Sequence, residues 1–111
     1  MKISKDLNAA SARAIVLGIL QDGESYGYAL IQRVKELSGG RVEWTDGTLY
    51  PVLHRLEAEG LVRSRWGESE VGRKRKYYRL TPEAQPVMDG DRRQWEIIHG
   101  VLNQLWRFHH A

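Results

Sequence analysis

The hydrophobic positions of residues 6–60 recur at helical spacing in three successive segments. The first segment, 6–21, has a broad apolar face and ends at Asp22-Gly23. The second, 25–38, repeats apolar residues at i, i+4, i+8 and i+11 and precedes Gly39-Gly40, a typical helix stop. The third begins at a cap supplied by Thr45 or Asp46 and ends near Gly60. The pattern therefore predicts three consecutive helices.

After residue 60 the pattern changes to the alternation that is typical of strands. Residues 61–66 and 76–80 alternate apolar and polar side chains, and the linker between them contains glycine. A further helix is predicted to start at Thr81-Pro82-Glu83, where a cap, a proline and an acid coincide. Pro86 is expected to kink or delay this helix.

Three helices, a hairpin and a long final helix occur in this order in winged helix-turn-helix proteins. We therefore predict a mainly α fold with a small β-hairpin (α+β). Residues 1–81 would form a winged helix-turn-helix DNA-binding domain. Residues 82–111 would form a C-terminal dimerisation helix that belongs to the same structural unit.

The final helix carries an apolar seam that suggests a second copy of the chain. Its apolar positions from Ala84 to Leu105 step by four and three, a heptad pattern that only Asp91 interrupts. Further apolar residues widen the stripe beyond what packing on one small body requires. The alternative is that this helix packs only on the first helix of its own chain. The predicted homodimer interface contains Leu7, Met88, Trp95, Ile98, Leu102 and Leu105.

Length and composition limit the other possibilities. With 111 residues and 41% hydrophobic content, the chain has enough apolar surface for one small core. The absence of cysteine excludes disulfides, thiolate metal sites and cysteine nucleophiles. The apolar run at 14–20 is shorter than the ~20 residues that span a bilayer, and it lacks a signal-peptide cleavage site. We therefore expect a cytoplasmic protein with no membrane partner.

The charge is concentrated in one segment. The chain has a formal net charge of +3, but residues 63–79 contain seven cations and two acids, a net +5, which leaves −2 for the remainder. This segregation predicts a surface for a polyanion. The alternative is a solvated charged hairpin without a partner.

The outward face of the third predicted helix suggests that this polyanion is duplex DNA. This face is small and, over its first turns, free of carboxylates, as a helix needs to be when it enters the major groove of duplex DNA N-terminus first. Arg75, Lys76 and Tyr78 have an alternative role in bracing the hairpin. The predicted DNA-contacting residues are Thr48, Tyr50, Pro51, His54 and Arg55 on this helix, Arg73, Lys74, Arg75 and Lys76 in the hairpin, and Ser25, Tyr26 and Tyr28 at the second helix.

Three motifs resemble the PadR family of bacterial transcriptional regulators. They are Tyr26-Gly27-Tyr28-x-Leu30, the run from Gly47-Thr48-Leu49-Tyr50-Pro51 to Val62, and the run from Gly72 to Thr81, so the similarity covers roughly residues 7–106. The short C-terminal part resembles the subfamily that includes the lactococcal multidrug-sensing repressor. The resemblance implies a homodimeric repressor whose last helices cross near the twofold axis and whose ligands are planar aromatic or cationic drugs. A dimer would read an inverted-repeat operator, because its two recognition helices lie about one DNA turn, ~34 Å, or a multiple apart.

The same resemblance indicates a small-molecule site. Trp95 matches a tryptophan that stacks on the drug in that repressor, and a tryptophan in a dimer seam offers a π face for stacking or a cation–π contact. Arg92 stands where that repressor has an aromatic residue, so it would favour anionic or phenolic effectors or pair with Asp91. The alternative is that Trp95 is a large side chain in a dry interface. The predicted ligand-binding residues are Ala14, Leu17, Met88, Asp91, Arg92, Trp95 and His99.

Other function classes find less support in the sequence. There is no Gly-x-Ser-x-Gly elbow, phosphate-binding glycine loop or dinucleotide fingerprint, so we predict no catalytic residue, no cofactor and no enzyme activity. Glu96 and His99 stand three residues apart on a helix, which leaves a metal-sensing regulator as an alternative, although we predict no metal ligand. A winged helix without a small-molecule effector, or one that binds protein or RNA, is a further alternative.

Overall fold

The computed structural model describes the backbone of residues 1–109 and the side chains of residues 1–107. Four helices and a three-stranded sheet confirm the predicted mainly α winged-helix fold with a long C-terminal helix. The predicted second unit, 82–111, ends outside the described residues. In chain order the elements are α1 (Lys5–Leu20), β1 (Ser25–Tyr26), α2 (Gly27–Leu37), α3 (Asp46–Ala58), β2 (Val62–Glu68), β3 (Lys74–Leu80) and α4 (Ala84–His109).

All three helices lie within two residues of their predicted bounds, but the start of the second differs in kind. Ser25 and Tyr26 form strand β1, not the first turn of a helix, and Tyr26 has extended φ and ψ angles of −133° and 166°. Backbone pairing of these two residues with β3 outweighs the apolar spacing that suggested helix. Leu37, which was expected on the buried stripe, is exposed.

The hairpin is longer than the sequence pattern predicts. The antiparallel sheet has the order β1-β3-β2, and the ladder between β2 and β3 continues to the pairs Gly67↔Arg75 and Glu68↔Lys74. Lys74 and Arg75, which the pattern left outside the second strand, therefore lie in β3 together with Lys76, which was predicted there. We call residues 62–80, which comprise β2, the turn and β3, the wing.

One core joins the three-helix body to the base of the wing. Leu49, Leu53 and Leu56 place one stripe of α3 entirely out of solvent, as the helical period predicts. They pack in one cluster with Val16 of α1 and Tyr78 of β3. Because α3 and the wing share this core, it fixes their positions relative to each other.

The last helix begins two residues after the predicted start. The Thr81 hydroxyl is buried and donates to the backbone oxygen of Gly60 at 2.7 Å, so it does not cap α4. Pro86 is the third residue of α4, where a helix needs no amide donor, and it interrupts no bond of the helix. The helix is thus delayed, as one of the two expectations for Pro86 had it, and it runs unbroken to His109.

The C-terminal half of α4 extends away from the core. The molecule measures 57 × 32 × 21 Å, and every described side chain from Arg92 onward is exposed except the half-buried Leu102. Ile98 and Leu105 are each more than half exposed. In the part of the chain that the structure describes, no helix is long and apolar enough to cross a membrane.

Candidate functional site

The outward face of α3 carries the side chains that the sequence predicted for the major groove. Pro51, His54 and Arg55 are exposed, whereas Thr48 and Tyr50 are half-buried. Pro51 lies inside the helix, and its missing amide would otherwise donate to the carbonyl of Gly47. The apolar stripe on the other side of α3 is buried in the core, so this face is directed outward.

Two details at the start of α3 differ from prediction. Asp46 is the first residue of the helix and is exposed, so the first turn is not free of carboxylate. Thr45 occupies the cap position, but its side chain makes no cap hydrogen bond; its hydroxyl lies 3.5 Å from that of Thr48. The Asp46 carboxylate interacts favourably with the helix dipole and adds an exposed negative charge at the N-terminal end of α3.

The acids at the other end of α3 both have structural partners. Glu57 accepts hydrogen bonds from the backbone amide and the hydroxyl of Ser64, at 3.2 and 2.6 Å, and so ties α3 to β2. The Glu59 carboxylate forms an ion pair with Arg13, with 2.7 Å between Glu59 Oε2 and Arg13 Nη1. Gly60, with φ of 77°, ends the helix in the left-handed conformation that glycine adopts without strain.

The start of α2 packs closely against α3. A Cβ atom on the buried Gly27 would come within 2.7 Å of the Tyr50 hydroxyl oxygen, so only glycine leaves room for this ring. The neighbouring Tyr28 is exposed. The predicted contact residues of α2 and α3 are thus brought side by side.

Four of the seven cations of the wing form two contrasting groups. Arg65 donates to the two carboxylate oxygens of Glu24, and the guanidinium of Arg75 lies 4.2 Å from the centre of the Tyr26 ring. Arg73 and Lys74, by contrast, are exposed and form no ion pair among side chains 1–107. The first group braces the sheet, and the second is available to a polyanion.

Two pKa shifts accompany the bracing of the sheet. The hydrogen bond from Arg65 lowers the pKa of the Glu24 carboxyl below its ordinary value. Burial raises the pKa of the Tyr78 phenol, whose oxygen finds no hydrogen-bond partner in the described part of the chain. Tyr78 therefore belongs to the core at the base of the wing, as the bracing alternative required.

A second concave region lies between α1 and α4. This groove has a volume of about 340 Å³, and Trp95, 40% exposed, forms part of its wall. His99 does not line it; its ring lies 3.5 Å from the Asn103 amide. The structure thus brings six of the seven predicted ligand-binding residues together, namely Ala14, Leu17, Met88, Asp91, Arg92 and Trp95.

The charges beside this groove are paired differently from the prediction. Asp91 accepts from the Arg13 guanidinium at 3.0 Å, while Arg92 donates to Glu96 at 2.9 Å. The predicted alternative of an Arg92–Asp91 pair is therefore wrong. Arg13 was missed by the sequence reasoning, although it is the one charged residue in the apolar run 9–20.

The pairing of Glu96 also bears on the metal alternative. Its carboxylate is engaged by Arg92, and no group of three or more His, Cys, Asp and Glu side chains that could hold a metal occurs within the described residues. The Glu96–His99 pair consequently has no further ligand nearby in this part of the chain.

Comparisons with known proteins agree with this architecture. Residues 16–89 match the model of the "Transcriptional regulator PadR-like family". The "Transcriptional regulator Rv3488" of Mycobacterium tuberculosis is 40% identical over 96 residues, 85% of this chain and 84% of its own length.

Solved structures show the same likeness. A transcriptional regulator from Clostridium thermocellum superposes with a TM-score of 0.82 at 31% identity, over 92% of this chain and 96% of its own. A PadR family transcriptional regulator from Eggerthella lenta gives a TM-score of 0.77 at 31% identity, over 90% and 85% of the two chains. With its winged-helix fold and its match over residues 16–89, this chain belongs to the PadR-like family of transcriptional regulators.

Proposed function

We propose that this regulator binds an inverted-repeat operator in duplex DNA as a homodimer and acts as a ligand-responsive repressor. The observation that carries the DNA-binding part is the outward face of α3 set beside a wing with uncommitted cations. Pro51, His54 and Arg55 would reach base edges in the major groove, while Arg73 and Lys74 would contact phosphates.

The DNA-binding proposal is tested by selecting bound duplexes from a random pool and measuring their affinity against salt. We expect an enriched inverted repeat and a steep linear fall of log K with log salt. Enrichment of a single half-site would contradict the dimeric arrangement. Tight binding that salt leaves unchanged would contradict the wing as a phosphate-binding element.

Residues 82–111 would form the dimerisation element of this regulator, and residues 1–81 its DNA-binding domain. The support is the row of apolar side chains on the part of α4 that extends beyond the core, including Trp95, Ile98 and Leu105. An exposed apolar row of this size indicates an interface with a partner. Its heptad pattern is suited to packing against α4 of a second copy of the chain. Leu7 at the start of α1 is also exposed and would join this interface.

Sedimentation at micromolar concentration tests the dimer. We expect a dimer for the native protein and a monomer for Ile98→Glu, because a charge in the seam would lose its solvation on association. Arg93→Glu, outside the seam, serves as the control and should remain dimeric. A native protein that sediments as a monomer would contradict the proposed interface.

The groove between α1 and α4 would take a planar aromatic effector, such as a multidrug-type dye or a phenolic acid. Its volume lies at the lower end of ligand pockets, ~300–1,000 Å³, and Trp95 offers a stacking surface. Since Asp91 and Arg92 are each paired within the chain, stacking rather than charge would dominate recognition. Release of DNA requires that the ligand bind two arrangements of α4 unequally.

A thermal-shift screen of cationic dyes, phenolic acids and divalent metal ions tests this part. A ligand of the native state raises the melting temperature by mass action. We expect aromatic compounds to raise it in the native protein but not in Trp95→Ala, with Trp106→Ala as a control that retains the response. A response to metal ions alone would favour the metal-sensing alternative, and no response would favour a regulator without an effector.

A further inference from the structure

Trp66 is a large aromatic side chain that the fold leaves open to solvent. It lies in the middle of β2, opposite Lys76, yet 69% of its surface is exposed. On the same face, toward the base of the wing, Ser64 is held by Glu57 and Tyr78 is fully buried. Trp66 is therefore the first side chain of this face beyond the core, and core packing does not explain its presence.

Trp66 forms one wall of an open groove between the wing and the helices. The groove has a volume of about 420 Å³, and Tyr28 and Tyr50 contribute to the side formed by α2 and α3. Lys74 and Lys76 line it from β3. Tyr28 is itself 67% exposed. The groove thus combines exposed aromatic rings with ammonium groups, a combination that suits nucleic acid.

The positive charge of the groove indicates which kind of partner would bind there. Neither Lys74 nor Lys76 forms an ion pair among side chains 1–107. A second copy of this chain would bring the same two cations to the contact, which is unfavourable. A polyanion is attracted to both, and in duplex DNA the groups that a wing beside the recognition helix meets are deoxyriboses and phosphates.

We propose that Trp66 packs on the sugar-phosphate backbone of duplex DNA, with Lys76 opposite it and Lys74 diagonal to it on β3. This inference rests on the proposed DNA-binding function and adds a residue that the basic segment alone does not indicate. The indole ring covers a deoxyribose, and its N–H, which can only donate, is suited to a phosphate oxygen. Because the contact is largely apolar, it adds affinity without a further released counterion.

Affinity measured against salt separates this role from that of the lysines. We expect Trp66→Ala to weaken binding of the selected duplex about tenfold, as for one aromatic contact to nucleic acid, with the slope of log K against log salt unchanged. Lys74→Gln should lower the slope by about 0.9. Val71→Ala removes an exposed apolar wing residue outside this groove and should change neither quantity.

Tryptophan fluorescence locates the contact. Saturation with duplex should quench the native protein, and most of this quenching should disappear in Trp66→Phe, which keeps the three other tryptophans. Quenching that persists in Trp66→Phe, or unchanged affinity of Trp66→Ala, would overturn the inference while leaving the DNA-binding function intact.

Different experimental results would contradict the proposed DNA-binding function and the proposed contact of Trp66. A native protein that binds no duplex at any salt concentration would instead overturn the proposed function. An acidic protein as the occupant is tested with poly-L-glutamate. Competition by this polymer as strong as that of duplex at equal charge concentration would overturn the inference, because the groove would then recognise charge alone.

Discussion

At the junction of α1, α3 and α4, the guanidinium of Arg13 donates to Glu59 and Asp91, whereas on the wing Arg73 and Lys74 have no carboxylate partner among side chains 1–107. Arg13 is only 34% exposed and joins three helices. The two wing cations are exposed next to a turn that Ser69 and Arg73 close with a 2.8 Å backbone hydrogen bond. Cations of the first kind hold the fold, and those of the second kind are free for a ligand.

Arg65 and Arg75 lie between these two cases. They belong to the basic segment, yet Arg65 binds Glu24 and Arg75 stacks on Tyr26. Because Glu24 neutralises Arg65, the formal +5 of residues 63–79 overstates the charge that the wing offers to DNA. The contacts of each cation, and not the charge of the segment, therefore predict its role.

Removal of two uncommitted cations should have the largest effect on DNA binding. We expect Arg73→Gln combined with Lys74→Gln to weaken DNA binding by roughly one to two orders of magnitude at low salt. The slope of log K against log salt should fall by about 1.8, because two counterions fewer are released. Stability to urea should not change, since neither side chain has a partner to lose. Fluorescence anisotropy over a salt series measures both binding quantities.

The control for this double variant removes the same charge elsewhere. Arg93→Gln combined with Arg107→Gln changes two exposed cations of α4 and should leave the slope unchanged. Equal slopes for the native protein and the wing variant would show that the wing cations are solvated and not bound to phosphate.

Removal of Arg13 should have the opposite pattern of effects: stability should change, and the salt dependence of DNA binding should not. We expect Arg13→Gln to lower the free energy of unfolding by about 1 kcal/mol, because the half-buried Asp91 and the more exposed Glu59 would both lose their cation, a cost that partial exposure reduces. The salt slope of DNA binding should be unchanged. Urea denaturation at one protein concentration provides the measurement. Arg33→Gln, which breaks a more exposed 3.5 Å pair with Glu36, should have little effect.

The sequence predicted those features that depend on periodicity within one element. The stripe of Leu49, Leu53 and Leu56 follows from the helical period, so the outward face of α3 follows as well. The glycines after α2 likewise marked its end, and Gly39 has the expected positive φ of 62°. These features depend on residues that are close together in the sequence, so they can be predicted without the tertiary structure.

The features that the sequence did not predict depend on contacts between distant segments. Strand β1 exists because Ser25 and Tyr26 pair with residues more than fifty positions away. The hydroxyl of Thr81 was expected to cap α4 but binds Gly60 across the chain. Arg13 finds its acids 46 and 78 residues further on. No pattern within one segment contains this information.

Glu24→Gln should move Arg65 from the paired to the uncommitted group. We expect DNA affinity to rise a few-fold, because Arg65 would no longer be neutralised, with a salt slope steeper by at most about 0.9. Asp22→Gln, which changes an exposed acid two residues earlier, serves as the control. An unchanged affinity would show that Arg65 stays on the Tyr77 ring, 4.8 Å from its centre, and contributes only to the sheet.

The same variant tests the pH dependence of the Glu24–Arg65 pair. Because the hydrogen bond from Arg65 lowers the pKa of the folded Glu24 carboxyl, the unfolded state takes up its proton first as pH falls. The stabilisation by this pair is present above the unfolded pKa of about 4.5 and is lost as pH falls through the lower folded value. Glu24→Gln should therefore show a shallower loss of stability than the native protein in urea titrations below that pH.

Asp46→Asn at the start of α3 should have the smallest effect of these variants. The carboxylate stabilises the start of the helix through the dipole by a few tenths of a kcal/mol, but its exposed negative charge opposes a polyanion at this end of α3. We therefore expect stability to fall slightly while DNA affinity rises about two- to threefold, which anisotropy at fixed salt can resolve. Asp6→Asn in the first turn of α1 should lower stability by a similar amount without the gain in affinity. A loss of affinity in Asp46→Asn would show that this acid accepts a hydrogen bond from a base, so a carboxylate would then belong to the recognition surface together with the cations of the wing.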